Sequence, residues 1–240
     1  MTSEKVDIGV SRNDQRDYWE SDDIAYNRDP DHPCIRRYAR PKIEVIREAC
    51  AKYAEKDFSE FSALDIGAGN GYLSYHLDQF VETAVAADFS RRMITCNPCS
   101  PKLQTLGECM PFPSGSFDLV LCGNFLHHVR NPVRALSEMA RVSKLYVVAV
   151  EPNMSNLLYY LYAFLVPEDR GTLRFTKPFV RSIFSKTDPA LDLFEVRSEG
   201  EIVANPTPAW ILPVIEKISW LVHPKFFSIY VSRVVENTDD

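Results

Sequence analysis

Residues 64–74 read Leu-Asp-Ile-Gly-Ala-Gly-Asn-Gly-Tyr-Leu-Ser, which is an apolar run ending in an acid, a turn with three glycines, and a helix start. Glycine has no Cβ atom and adopts positive φ without strain. Gly67, Gly69 and Gly71 therefore predict a turn whose backbone N–H groups can closely approach a ligand. Such a turn at the N-terminus of a helix is typical of sites for nucleotide-like cofactors.

A second acid ends the next apolar run. Asp88 follows residues 84–87 and lies about 20 residues beyond the glycine turn, where an acid grips a ribose in doubly wound sheets. We therefore predict that Asp88 accepts hydrogen bonds from both ribose hydroxyls, the alternative being that it caps a helix beginning at Ser90. Phe89 would pack either beside an adenine ring or in the core.

Strand and helix patterns alternate along the rest of the chain. This order predicts an α/β fold: a doubly wound, mostly parallel seven-stranded sheet with helices on both faces. Four polar residues follow predicted strands and should meet at the carboxyl edge of the sheet, where ligands bind: Asp65, Asp88, Asn124 and Glu151. We expect strands near 61–66, 83–87, 102–106, 117–122, 144–150, 192–197 and 227–235, and helices near 43–53, 71–79, 90–96, 132–141 and 210–222.

Two segments stand outside this alternation. Residues 1–35 form a predicted N-terminal cap segment ahead of a main domain at 36–240. Its aromatic residues, Tyr18, Trp19 and Tyr26, either close the cofactor cleft or anchor a terminal helix.

The second segment is an apolar run from Leu157 to Val166, which predicts an inserted helix within a lid at about 154–186. Together with a helix around Trp210, it would roof an acceptor pocket, form a homodimer face, or belong to the core.

Composition excludes several classes of protein. The formal charge of −6 and pI near 5.5 argue against a nucleic-acid partner. We expect no export signal and no membrane span, because the longest apolar run is far shorter than the ~20 residues required. The six cysteines lack a dense disulfide framework, so we expect reduced thiols and a cytoplasmic protein.

The chain resembles the class I S-adenosylmethionine-dependent methyltransferases, particularly those acting on small molecules, over residues 36–153. In that family an acid precedes G-x-G-x-G, and residues 65–71 match the pattern without a gap. The spacing differs from the G-x-G-x-x-G of dinucleotide sites, and Asp65 suits a sulfonium and an ammonium better than a pyrophosphate. The later stretches 110–122, 125–129 and 151–153 also resemble family segments around the fourth and fifth strands.

This resemblance implies S-adenosylmethionine as the cofactor. It also implies that the strands near 192–197 and 227–235 supply an antiparallel edge of the sheet. One position departs from the family pattern: Leu106 stands where relatives commonly carry an aspartate that accepts from the adenine amino group. Glu108, two residues later, or backbone groups would then recognise adenine. The implied cofactor-binding residues are Asp65, Gly67, Ala68, Gly69, Gly71, Asp88, Phe89, Glu108 and Asn124.

The implied reaction is methyl transfer to a small, partly apolar acceptor, with an oxygen, nitrogen or carbon nucleophile left open. His127 and His128 follow the fourth strand, so either is a candidate general base for a hydroxyl, or both are structural. Residues 123–126 lack the [DN]-P-P-[FY] motif of enzymes that methylate base amino groups. Asn124, Glu151 and Asn153 would offer magnesium only a single carboxylate, which is a poor cage for that ion, so we expect no metal.

Two other functions stay open from the sequence. The chain could be a methyltransferase-like protein that binds S-adenosylmethionine without turnover, since nothing in its residues separates active from inactive members. A nicotinamide oxidoreductase is the more distant alternative, and Asp65, the glycines and Asp88 argue against it.

Overall fold

A seven-stranded sheet forms the centre of the computed structural model, which describes residues 19–20, 28–165, 167–200, 208–219 and 225–235. The strand order is β3-β2-β1-β4-β5-β7-β6. Neighbours from β3 through β5 pair in parallel, while β7 is antiparallel to both β5 and β6. The predicted doubly wound sheet with an antiparallel edge is confirmed. The strands are β1 Ser62–Ile66, β2 Thr83–Asp88, β3 Lys102–Gln104, β4 Phe117–Gly123, β5 Ser143–Pro152, β6 Leu191–Glu199 and β7 Phe227–Val234.

Helices cover both faces of the sheet. Alternate residues of the central strands point into two separate apolar clusters, as the two-residue period of a strand requires. One cluster includes α4 and α6, and the other includes α1 and α5. The helices are α1 Pro33–Cys50, α2 Ser74–Leu77, α3 Arg91–Cys96, α4 Pro132–Val142, α5 Leu157–Leu165, α6 Lys177–Phe184 and α7 Leu212–Ser219.

Helix α1 begins about ten residues before the predicted helix. Pro33 occupies its first turn, where a missing N–H costs nothing, and the His32 side chain accepts a hydrogen bond from the Cys34 N–H. The helix continues through Pro41, because Ile35 and Ala39 extend the buried face of the later turns. α1 therefore starts inside the segment predicted as the N-terminal cap.

The region between β5 and β6 holds α5, a 3₁₀ segment at Pro167–Arg174, and α6. These elements occupy the predicted insertion at 154–186, and their action as a lid remains a proposal. Of the predicted cap aromatics, Trp19 is described, whereas Tyr18 and Tyr26 lie outside the described residues. Within the described part of the chain, no helix combines the length and apolar character needed to cross a membrane.

Candidate active site

A cleft opens at the carboxyl ends of β1, β2 and β4. β1 lies between β2 and β4, so the chain changes direction across the sheet here, and doubly wound folds bind ligands at such a switch point. The cleft encloses about 780 Å³ of space between atoms, and part of this space is open solvent. Its lining residues are Trp19, Tyr38, Asp65, Gly67, Ala68, Gly69, Asn70, Tyr72, Leu73, Asp88, Phe89, Met93, Gly123, Asn124, Phe125 and His128.

The glycine turn adopts the predicted backbone conformation. Gly67, Gly69 and Gly71 have φ of 74°, 53° and 97°. A Cβ on Gly67 would lie 2.5 Å from the Phe125 ring, and one on Gly71 would lie 2.8 Å from the Asn97 side chain. Both glycines are therefore needed for packing. Gly69 is less crowded and lines the cleft, whereas Gly71 shapes the turn without lining it.

Asp65 is a buried carboxylate that lines the cleft and is only 1% exposed. Its Oδ2 accepts from the Ser74 hydroxyl at 2.7 Å, and its Oδ1 has no hydrogen-bond partner among the described residues. Burial raises the pKa of Asp65 to about 7, because its effect exceeds the lowering by the Ser74 hydrogen bond, and the nearby Asp88 adds a smaller upward contribution. A cationic group at Oδ1 would satisfy this oxygen, so the site fits the ammonium of S-adenosylmethionine.

Asp88 fastens the glycine turn to the end of β2. Its Oδ2 accepts from the Gly69 N–H and its Oδ1 accepts from the Ser90 N–H, each at 2.8 Å. Burial raises the pKa of Asp88 above its ordinary value. Ser90, and not Asp88, is the N-cap of α3, because the Ser90 hydroxyl accepts a hydrogen bond from the Met93 N–H at 3.1 Å. Each carboxylate oxygen keeps a lone pair, so the ribose role remains a prediction that the geometry permits.

The structure does not bring Glu108 into the cleft. The Glu108 backbone carbonyl accepts from Arg134 Nε at 3.0 Å, and Leu106 is 40% exposed. Phe89 does line the cleft, together with Met93, which the sequence did not indicate. Apolar contact with these two side chains is therefore a better candidate for adenine binding than a hydrogen bond to Glu108.

Asn124 follows β4 in a left-handed conformation, with φ of 51°. Few residues other than glycine adopt this conformation, and asparagine is among those that tolerate it. Its Nδ2 donates to the Tyr38 hydroxyl at 2.8 Å, and its buried Oδ1 has no partner among the described residues. Tyr38 was missed in the sequence, because it lies on the part of α1 that precedes the predicted helix.

The two histidines differ in position. His128 lines the cleft and contacts the Trp19 ring edge-to-face at 5.4 Å. Burial and the nearby His127 hold the pKa of His128 well below its usual range, so the ring is neutral near pH 7. His127 lies behind it, 2% exposed, with Nδ1 2.5 Å from Glu151 Oε2. Only His128 is therefore placed to touch a bound molecule.

The described residues include side chains of the kinds that bind metal ions in proteins. None of their His, Cys, Asp and Glu side chains form a group of three or more suited to a metal ion. Cys96 and Cys99 have the C-x-x-C spacing of some metal and redox sites, but Cys99 is buried, and burial raises the pKa of its thiol to about 12.

Comparison with known proteins gives relatives for part of the chain. The sequence model described as "Methyltransferase domain" matches residues 64–145. The uncharacterized methyltransferase YcgJ of Bacillus subtilis is 30% identical over 95 residues, which are 36% of this chain and 38% of YcgJ. The mitochondrial arginine-hydroxylase NDUFAF5 of Rattus norvegicus is 33% identical over 87 residues, 34% of this chain and 25% of that protein. The chain thus spans well under half the length of these curated relatives.

Solved structures extend the likeness to the whole fold. The crystal structure of Bacillus subtilis YcgJ matches with a TM-score of 0.55 at 19% identity, over 82% of this chain and 99% of that one. Magnesium protoporphyrin IX methyltransferase of Synechocystis PCC 6803 with bound S-adenosylhomocysteine matches with a TM-score of 0.62 at 14% identity, over 94% and 100%. The central residues of this chain therefore match the methyltransferase domain, and its seven-stranded sheet shares the fold of these solved structures.

Proposed function

We propose that this protein transfers the methyl group of S-adenosylmethionine to a small, partly apolar acceptor. The observation that carries the proposal is the composition of the cleft. Acids and glycines come mainly from the ends of β1 and β2, and aromatic rings come from α1, from the segments after β1, β2 and β4, and from Trp19. The first group suits the cofactor, and the second suits an apolar acceptor.

Bound S-adenosylmethionine supplies a methyl group already activated by its positively charged sulfur. The protein must therefore mainly hold a nucleophile in line with that group and exclude water. We assign the ammonium to Asp65 Oδ1 and the ribose hydroxyls to Asp88, while Gly69 leaves room for the cofactor at the turn. Asn124 Oδ1 offers a second unsatisfied acceptor in the same cleft.

A row of aromatic rings supports an apolar acceptor that extends beyond the cleft. Tyr72 and Tyr38 line the cleft with ring centroids 6.5 Å apart, and Tyr38 contacts Phe227 at 5.3 Å. Phe227 in turn contacts Tyr159 of α5 at 6.3 Å. The row connects the cleft to α5, and most other side chains of that helix are apolar and exposed. In this proposal α5 roofs the apolar part of the acceptor.

His128 is the candidate base if the acceptor is a hydroxyl. Its ring is neutral near pH 7 and reaches the cleft, so it can take the proton that a hydroxyl loses as the new bond forms. An amine or carbon nucleophile would need no such group. We also infer a cytoplasmic protein without nucleic-acid partners, in keeping with the net charge of −6.

The test begins with the cofactor. S-adenosylmethionine and S-adenosylhomocysteine should each raise the melting temperature, whereas NAD should not. Transfer of labelled methyl from S-adenosylmethionine to a panel of amphiphilic alcohols and amines then identifies the acceptor. Mass spectrometry should show a product that gains CH₂. Stabilisation by NAD alone would contradict the proposal, binding without any product would favour a non-catalytic protein, and a gain of oxygen would favour a hydroxylase.

A further inference from the structure

Glu151 is a fully buried carboxylate at the end of β5, and it does not itself line the cleft. Its Oε1 accepts from the N–H groups of Phe125 and Leu126 at 3.1 and 2.8 Å. Its Oε2 lies 2.5 Å from His127 Nδ1. An apolar side chain would avoid the desolvation cost of this carboxylate, so stability alone does not account for it.

The two backbone bonds hold a wall of the cleft. Residues 123–128 form this wall, and Gly123, Asn124, Phe125 and His128 of it line the cleft. Its bend depends on the left-handed conformation of Asn124, which asparagine tolerates but few other residues besides glycine adopt. The N–H groups bound by Glu151 follow Asn124 directly. Glu151 therefore holds the bend after Asn124 in place through these two hydrogen bonds.

The third contact fixes a histidine. An ionised carboxylate only accepts hydrogen bonds, so His127 must donate through Nδ1–H. The tautomer and the orientation of the His127 ring are then set by Glu151. The centroid of this ring lies 4.0 Å from that of His128. His128 thus packs against a ring that Glu151 holds in place.

We propose that Glu151 is a positioning residue, which fixes the 123–128 wall and, through His127, the orientation in which His128 meets the methyl acceptor. The inference rests on the proposed function, because that function assigns the acceptor to the same cleft. Glu151 itself touches neither cofactor nor acceptor in this arrangement. It acts through the groups it holds.

The variant Glu151→Gln tests the proposal with little change in shape. The glutamine oxygen can still accept from Phe125 and Leu126, but its NH₂ group donates toward His127 Nδ1, which must then accept. We expect the His127 tautomer to switch and the His128 ring signals to move in nitrogen-detected NMR. Melting temperature and S-adenosylhomocysteine affinity should stay near those of the wild type. Turnover should fall by about tenfold or more, with a changed pH profile.

Glu138→Gln is a matched control. Glu138 also accepts a backbone bond, from the Met110 N–H at 3.0 Å, but it does not line the cleft. This variant should leave the histidine signals and turnover unchanged. If Glu151→Gln does not fold, His127→Gln keeps a donor for Glu151 while removing the ring beside His128. It should lower turnover at unchanged S-adenosylhomocysteine affinity.

Two outcomes would overturn the positioning role. One is a folded Glu151→Gln protein whose His127 tautomer and His128 titration match the wild type. The other is a loss of turnover that only follows the unfolded fraction. Failure of the proposed function looks different, because the wild type itself would then not bind S-adenosylhomocysteine or not transfer methyl, and the NMR comparison would still decide the role of Glu151.

Discussion

Asp65 should make cofactor binding depend on pH. Its pKa of about 7 in the free protein means that much of the carboxyl is protonated below neutrality. A cationic cofactor prefers the ionised form, so affinity for S-adenosylmethionine should rise up to about tenfold per pH unit until about pH 7. It should then level off until the cofactor ammonium loses its proton near pH 8, roughly. Calorimetry across this range measures the slope.

The control for this pH dependence is Asp65→Asn. The amide cannot ionise, so the slope should flatten, although Asp88, whose pKa burial also raises, can keep a part of it. The sign for stability is opposite. Asp65 is buried and only one of its oxygens is hydrogen-bonded, so its ionised form is costly. The free protein should therefore lose stability as pH rises from about 4 through about 7, and Asp65→Asn should lose less. Equal slopes in both proteins would remove Asp65 from the cofactor site.

Substitution of His128 separates catalysis from packing. If the acceptor is a hydroxyl, His128→Ala should lower kcat by about 10²- to 10⁴-fold, while cofactor affinity and melting temperature barely change. His127→Ala should in addition cost about 1–3 kcal/mol of stability, because it leaves the buried Glu151 Oε2 unpaired. Turnover, cofactor titration and thermal melting of both variants distinguish a catalytic role from a structural one. Near-normal turnover in folded His128→Ala would leave positioning as the source of catalysis.

The sequence predicted the site residues whose roles depend on short-range spacing along the chain. Asp65, the glycines and Asp88 follow from spacing along the chain, and the structure brings most of them to one cleft. Tyr38 and Glu151 could not be assigned, because their contacts join elements far apart in sequence. The sequence placed both histidines near the site, but it could not show which ring faces the cleft, because that depends on how the rings pack.

At the scale of the element, the glycine turn should not accept a side chain at position 69. Gly69→Val places a branched residue at φ of 53°, which is strained, and adds bulk at the cleft lining. We expect S-adenosylmethionine binding to be lost in calorimetry. Gly115→Val imposes similar strain at φ of 61°, but its Cβ approaches only the Lys144 side chain at 3.5 Å. It should bind normally, and equal binding by both variants would make the turn structural only.

Element type was more predictable than element ends. The strands were clear, because buried parallel strands are apolar throughout, as in β4. Helices were less so. α2 covers only Ser74–Leu77 of the predicted 71–79, and α1 starts at Pro33 rather than near Ile43. The start of a helix depends on caps and on packing against the sheet, and two prolines in α1 masked its amphipathic pattern.

At the scale of the whole molecule, α5 is the element whose role the sequence left open between acceptor roof, homodimer face and core. The structure argues against plain core. Tyr159 and Ala163 are its buried residues, and large apolar side chains elsewhere on the helix are exposed. Such a surface costs solubility unless it meets an apolar partner. The aromatic row from the cleft through Phe227 to Tyr159 favours the acceptor.

The double variant Leu161→Glu/Leu165→Glu tests this role. Both side chains are on the outer face of α5, 48% and 73% exposed, so the fold and cofactor affinity should be retained. If α5 roofs the acceptor, KM should rise about tenfold, since losing apolar contact worth about 1–2 kcal/mol weakens binding by that factor. Steady-state kinetics with the acceptor found in the screen measures the change.

The matched control is Leu145→Glu. Leu145 is 36% exposed and lies near the start of β5, so it is at the end of the strands away from the cleft. It should leave KM and kcat unchanged. Light scattering on all three proteins tests whether α5 is a homodimer face. If it is, the wild type should be a dimer, and the double variant should be a monomer with unchanged KM. Unchanged KM and unchanged mass together would contradict both roles. A raised KM at constant mass would place the apolar part of the acceptor on α5.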